Sequence, residues 1–250
     1  LPGAFHRTRS GFFDFGKIEP LSPPGCVALP GGIEPCREAQ PLAFREVFRY
    51  FLMIESALFW ICEGGKMSKT ALLIIDVQND YFPGGRMELA GSDAAVASLG
   101  NLLGEFRGKA APVVHVRHVA TKPGATFFLP ETDGALIHAR VRPEANETVV
   151  VKHFPNSFRG TDLHEKLQAA GITRLVITGM MTHMCVDTTV RAAFDLGYEC
   201  VVVGDCCATR ALTLNGVTVA AEHVQLAYLA ALNGTFAKAV NSPEARALAE

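Results

Sequence analysis

A chain of 250 residues, 49% hydrophobic and 19% charged, holds enough material for one large α/β domain, or for a smaller domain with an extension. Its formal net charge of −2 leaves no electrostatic footprint for nucleic acid or for an anionic membrane as partner. Seven cysteines without a CxxC pair or a regular framework argue against a disulfide scaffold and predict a reducing, cytoplasmic setting.

Residues 1–66 read differently from the remainder. The chain starts at Leu1, and residues 21–35 (LSPPGCVALPGGIEP) are punctuated by Gly and Pro with no sustained period, which predicts coil. Residues 41–62 suit one helix, apolar from Tyr50 onward. That stretch is too short to span a bilayer and carries Glu55 in its middle. MSKTALLIIDVQND, from Met67, has the character of the start of a cytosolic protein. Residues 1–66 are therefore expected to be a non-native or disordered N-terminal extension, with a regulatory or oligomerising arm as the alternative. Residues 67–250 are expected to form the folded domain.

From Met67 the pattern alternates strand and helix. Residues 71–75 (ALLII) form a continuous apolar run ending at Asp76, as a buried parallel strand does. A loop turning at Pro83-Gly84-Gly85 follows, and Ser92 or Asp93 can cap a helix to about Arg107. Residues 112–116 and 148–152 give the second and third strands. A helix begins near Thr161, with Asp162 complementing its N-terminus, and stops at Gly171. Residues 175–178 (LVIT) read as the fourth strand, broken by Gly179. Helical spacing then resumes from about Thr182, with Val186, Val190 and Ala193 on one face. Residues 200–203 make a fifth strand, 217–232 a long helix rich in Ala and Val, and 236–240 a short final strand. Such alternation predicts a parallel sheet covered by helices on both faces.

Cys185 falls in the first turn of a helix that follows directly from a strand, where unpaired amides and the helix dipole favour a thiolate. A buried structural cysteine is the plain alternative. Ligands of open parallel sheets bind outside the carboxyl ends of the strands. Asp76, Lys152 and Cys185 all stand at such ends. A carboxylate able to take and return the thiol proton, an ammonium able to stabilise the sulfur, and the thiol itself together form a nucleophilic site. An Asp that caps a loop and a Lys that is merely solvated are the dull readings of the first two.

Three segments, LLIIDVQNDYF around Asp76, VVVKHFPNSF around Lys152 and GMMTHMCVDTTVRAA around Cys185, resemble the isochorismatase-like cysteine hydrolases in order and spacing. This superfamily includes nicotinamidases, N-carbamoylsarcosine amidohydrolase and ureidoacrylate amidohydrolase, and the likeness covers residues 67–240. The resemblance implies a three-layer α/β/α domain with a six-stranded parallel sheet and an Asp76–Lys152–Cys185 triad. It also implies a cis peptide between Met180 and Met181, with the backbone N–H groups of Met181 and Cys185 as oxyanion hole. The implied chemistry is attack of Cys185 on a carbonyl, loss of ammonia or an amine, and hydrolysis of the thioester, with no cofactor. The partner is a small-molecule substrate, and the resemblance suggests a homo-oligomer.

Departures narrow the substrate. Nicotinamidases place an Asp-x-His metal site after the second strand. Here the run is Val114-His115-Val116-Arg117-His118, with apolar Val116 in the place of the aspartate, so no metal is expected. His115 and His118 stay open as ligands, as packed residues or as pocket walls. Retention of Cys185 favours an amide, ureido or carbamoyl substrate over the vinyl ether of true isochorismatases. Gln78, Tyr81, Phe82, Arg117, His118, Phe127, Phe128 and His183 are candidate pocket residues, and Arg117 is suited to a substrate carboxylate. An ether-cleaving hydrolase and a catalytically silent binding protein on the same fold are the rival readings.

Overall fold

The strand β1, Thr70–Ile75, is buried at every position, as a strand in the middle of a parallel sheet must be. It lies at the centre of a computed structural model that describes residues 69–249. The expectations for residues 1–66 fall outside those residues. Six strands form one sheet in the order β3-β2-β1-β4-β5-β8, every neighbouring pair parallel. They are β2 (Val113–His118), β3 (Thr148–Lys152), β4 (Arg174–Met180), β5 (Glu199–Ala208) and β8 (Lys238–Val240) beside β1. The chain winds outward from β1 through β2 to β3, then returns to lay β4 on the other side of β1. That reversal opens a crevice at the carboxyl ends of β1 and β4.

Strand alternation divides the core in two. Leu72 and Ile74 face α1 (Ser92–Gly108) and pack with Leu99, Leu102, Leu103 and Phe106. Ala71, Leu73 and Ile75 face the opposite side, with Leu163 and Leu167 of α2 (Leu163–Ala169) and Val190 and Ala193 of α3 (Asp187–Asp195). The result is a three-layer α/β/α arrangement. Each fully buried Leu, Ile or Phe supplies about 1.5–3 kcal/mol of apolar burial. Val149 and Val151 remain exposed because β3 is an edge strand with one uncovered face.

Several boundaries differ from the sequence reading. Gly179 does not end β4. It pairs with Ile75 at φ 121°, where an added Cβ would run into the Ile75 backbone, so glycine is what lets the strand pass β1. β1 and β4 therefore stay in register up to the site. β5 continues to Ala208, with a bulge opposite Ile177 and Gly179. The helix expected over 217–232 starts later. Val217–Val219 is instead strand β7, paired antiparallel with β6 (Leu212–Leu214) around Asn215-Gly216, both at positive φ. The helix α4 is Ala221–Leu232. An Asn-Gly pair between short apolar runs is a hairpin signal that the longer apolar stretch obscured. At α1 the capping position belongs to left-handed Gly91, not to Ser92 or Asp93. A short helix, α5 (Ser242–Ala245), and a 3-10 turn over Arg246–Leu248 close the described chain. Among the described residues no helix is long and apolar enough to cross a membrane.

Candidate active site

Asp76 leaves the end of β1 in a left-handed conformation, φ 50°, with its amide donating to the Val116 carbonyl at 2.9 Å. A non-glycine residue there is strained, and such strain concentrates where surrounding structure fixes a functional side chain. Lys152 ends β3, and its ammonium lies 2.6 Å from Asp76 Oδ2 with both side chains sealed from solvent. The same Nζ donates to Cys185 Sγ at 3.2 Å and to the Phe154 carbonyl at 3.1 Å, and contacts His118 Nδ1 at 3.2 Å. Cys185 lies in a π-helical turn, Thr182–Val186, that joins β4 to α3, rather than in the first turn of a regular α-helix. The Met180–Met181 peptide at the end of β4 is cis.

The electrostatics follow from burial. Removal from water works against the Lys152 charge, but Asp76 and then the Cys185 sulfur outweigh it and hold the ammonium above the ordinary lysine range. Burial, and next the Asp76 charge, push the Cys185 thiol well up, against the pull of Lys152. The resting sulfur is therefore a protonated thiol beside a carboxylate. Burial works against the thiolate that the helix dipole favours. His118 is lowered to about 4 by burial and by the Lys152 ammonium, so its ring is neutral at pH 7.

Above these groups is a cavity of about 340 Å³. Tyr81, Phe127 and Phe128 form an aromatic wall, with Tyr81 and Phe128 edge to face at 4.6 Å between centroids. His118, Met181 and Cys185 form its base, and the loop from Ala120 to Ala125, with His153, Pro155 and Met184, completes it. The wall is anchored by buried Asp80, whose carboxylate accepts from the Phe128 amide at 2.6 Å.

An isochorismatase domain model matches residues 70–233, which spans β1 to α4 and includes all three strand-end residues. The chain belongs to the isochorismatase family. The isochorismatase family protein YddQ of Bacillus subtilis, described as uncharacterized, is 53% identical over 168 residues, covering 67% of this chain and 93% of that protein. A crystal structure of an isochorismatase-hydrolase-type protein from Oleispira antarctica is 49% identical, with a TM-score of 0.70 over 72% of this chain and 97% of the other. The ureidoacrylate amidohydrolase RutB of Stutzerimonas stutzeri is 29% identical over 173 residues, 56% of this chain and 70% of that protein.

Within this isochorismatase-family site, Tyr81, His118, Phe127 and Phe128 reach the cavity wall. Four other candidates do not. Gln78 is fully buried, and its side-chain amide donates to the carbonyls of His118 and Ala135 while its oxygen accepts from the His118 amide. It braces the wall from behind. Phe82 is buried and stacks on His138. Arg117 projects to the face of β2 opposite Val116 and His118, as strand alternation requires. His183 bonds Thr209 Oγ1 through Nδ1 and packs against Tyr228. Lys122, His153, Pro155 and Met184 were missed. The Lys122-Pro123-Gly124 turn directly after the second strand, and the position of His153 next to Lys152, were the available signals.

A nicotinamidase-type metal site does not fit these residues. Val116 lies in the apolar core, and His115 Nε2 is 2.9 Å from Glu147. Asp76, His118 and Cys185 do bring ligand atoms within 4.8 Å of one another. Lys152 Nζ already contacts all three, so the positive charge such a set attracts is supplied by the chain.

Proposed function

We propose that this isochorismatase-family hydrolase is a metal-independent cysteine amidohydrolase that cleaves a small amide, ureido or carbamoyl C–N bond. The observation that carries the reading is the buried Lys152 ammonium joining Asp76 and Cys185 beneath a cavity of small-molecule size. The name of the distant relative, an amidohydrolase, supports the same bond type.

Because the resting sulfur is a thiol, proton removal accompanies attack. Asp76 takes the proton as the Cys185 sulfur bonds to the carbonyl carbon and the carbonyl electron pair moves onto oxygen. The amides of Met181 and Cys185 receive that oxyanion. Collapse of the intermediate breaks the C–N bond, and Asp76 returns the proton to the departing amine. A water then loses a proton to Asp76 and attacks the thioester. Expulsion of the sulfur, which recovers that proton, restores the thiol and releases the acid. Lys152 stays in contact with Asp76 and steadies the sulfur while it carries negative charge.

The test is ammonia release from a panel of small amides, ureido acids and carbamoyl compounds, by wild-type protein and Cys185→Ala, in the presence of chelator. Turnover lost in the variant supports the reading. Ammonia release that survives the variant would contradict Cys185 as the nucleophile, and no turnover by folded wild-type protein favours ether-type chemistry or a binding role.

A further inference from the structure

Lys152 Nζ has four polar partners for its three N–H donors: Asp76 Oδ2, Cys185 Sγ, the Phe154 carbonyl and His118 Nδ1. An ammonium has protons to donate and no lone pair to accept with. With the ammonium beside it, His118 Nδ1 is better placed with its lone pair than with an N–H toward Lys152, and a neutral ring then carries its proton on Nε2. The backbone that carries the ring is fixed in place. Gln78 holds the His118 main chain from both sides, accepting from its N–H at 2.7 Å and donating to its carbonyl at 2.8 Å. Nε2 makes no hydrogen bond within the described residues, and the ring stands in the cavity wall beside Cys185. No Asp or Glu lines the cavity among the described residues, whereas Lys122 and His153 do. The cavity thus offers donors and positive charge to its occupant.

We propose that His118 binds substrate, donating its Nε2–H to an oxygen acceptor beside the scissile carbonyl, with the tautomer set by Lys152. The chemistry selected is a ureido or carbamoyl acid, whose carboxylate supplies such an oxygen, over a plain apolar amide. This deepens the amidohydrolase reading and rests on it. Burial and the neighbouring ammonium keep the ring uncharged at neutral pH, as this role requires.

Two experiments on the full chain test it. A long-range 1H–15N correlation spectrum of histidine-labelled protein at pH 7, assigned with His118→Asn, reads which ring nitrogen carries the proton. The expected result is a protonated Nε2 and a bare Nδ1; the reverse tautomer or an imidazolium would overturn the proposal. In kinetics on ureido acids, His118→Asn keeps an oxygen near the Nδ1 position and removes the Nε2 donor. KM should rise about tenfold or more, the worth of one hydrogen bond to a charged group, and by more than kcat falls. His118→Gln places an amide donor near the Nε2 position and should recover most of that loss. Wild-type KM in His118→Asn, or equal loss of kcat in both variants, would contradict a donor to substrate. Silence of the wild-type enzyme on every compound would defeat the amidohydrolase reading, and the tautomer would still decide the role of the ring.

Discussion

Lys152 Nζ and Asp76 Oδ2 meet at 2.6 Å with neither side chain open to solvent, although they come from strands separated by β2. A buried pair of this kind is kept for what it does, since apolar replacements of similar volume are often as stable. Lys152→Met should therefore destabilise the domain by about 3–5 kcal/mol, because it strands a carboxylate in the core. Asp76→Asn with Lys152→Met should recover most of that loss, with activity still absent. Urea unfolding of the single and double variants measures the coupling. Additive losses would show that the two charges do not depend on each other.

Asp76→Asn keeps the size of the side chain and removes the proposed base. With the Cys185 thiol pushed up by burial and then by the Asp76 charge, no other carboxylate of the ligand cluster can take its proton. A fall in kcat/KM of about 10²–10⁴ is expected. Labelling by a small alkylating agent near neutral pH should slow in parallel at Cys185. Cys200, Cys206 and Cys207, buried away from the cavity, should label slowly in both proteins. Unchanged Cys185 labelling in Asp76→Asn would remove Asp76 from the proton path.

The folded state resists protonating His118, whose pKa falls to about 4 through burial and the Lys152 charge, with Asp76 opposing and His153 and Lys122 adding to the effect. The unfolded chain binds that proton near pH 6.5. Between about pH 6.5 and 4 the unfolded state therefore holds more protons, and stability declines as the pH is lowered through that window. His115, His138 and His183 are also lowered, burial first in each case, and act in the same direction. Denaturant melts of wild type and His118→Asn across this range should show a shallower pH dependence in the variant. Identical slopes would mean that His118 titrates normally in the fold.

Gly179→Ala tests the close approach of β4 to β1. The new methyl would meet the Ile75 carbonyl, and the residue would have to hold φ 121°. A loss of about 3 kcal/mol is expected, together with loss of activity, because Ile75 immediately precedes Asp76. Gly104→Ala, whose Cβ would meet nothing in α1, is the control and should be neutral or slightly stabilising. Equal stability of the two variants would contradict the strand contact.

The strand-end residues were legible in the sequence because each follows an apolar run, and chain order alone carries Asp76 and Cys185 to adjacent strands once the sheet is doubly wound. The cavity was less so. Gln78 stands two residues after Asp76 and invites a binding role, yet its partner carbonyl on Ala135 is 57 residues away and has no local signal. Arg117 was readable as a residue facing away from the site, since it alternates with Val116 and His118 along β2. The walls supplied by Lys122 and Pro155 come from loops without period, and contacts distant in sequence, such as the packing of Phe128 onto Tyr81, build their neighbourhood. The β6–β7 hairpin was lost for a different reason. Its apolar residues run on into α4 without a break in composition, and Asn215-Gly216 was the one mark of the turn.

The central claim is that Cys185 is the nucleophile, and the direct measurement is rapid acid quench during turnover, followed by peptide mass analysis. The prediction is an acyl adduct on the peptide containing Cys185, present only with substrate and missing in Cys185→Ala, which should also lack turnover. Sustained turnover with no adduct, and with Cys185→Ala as active as wild type, would contradict covalent catalysis by this residue.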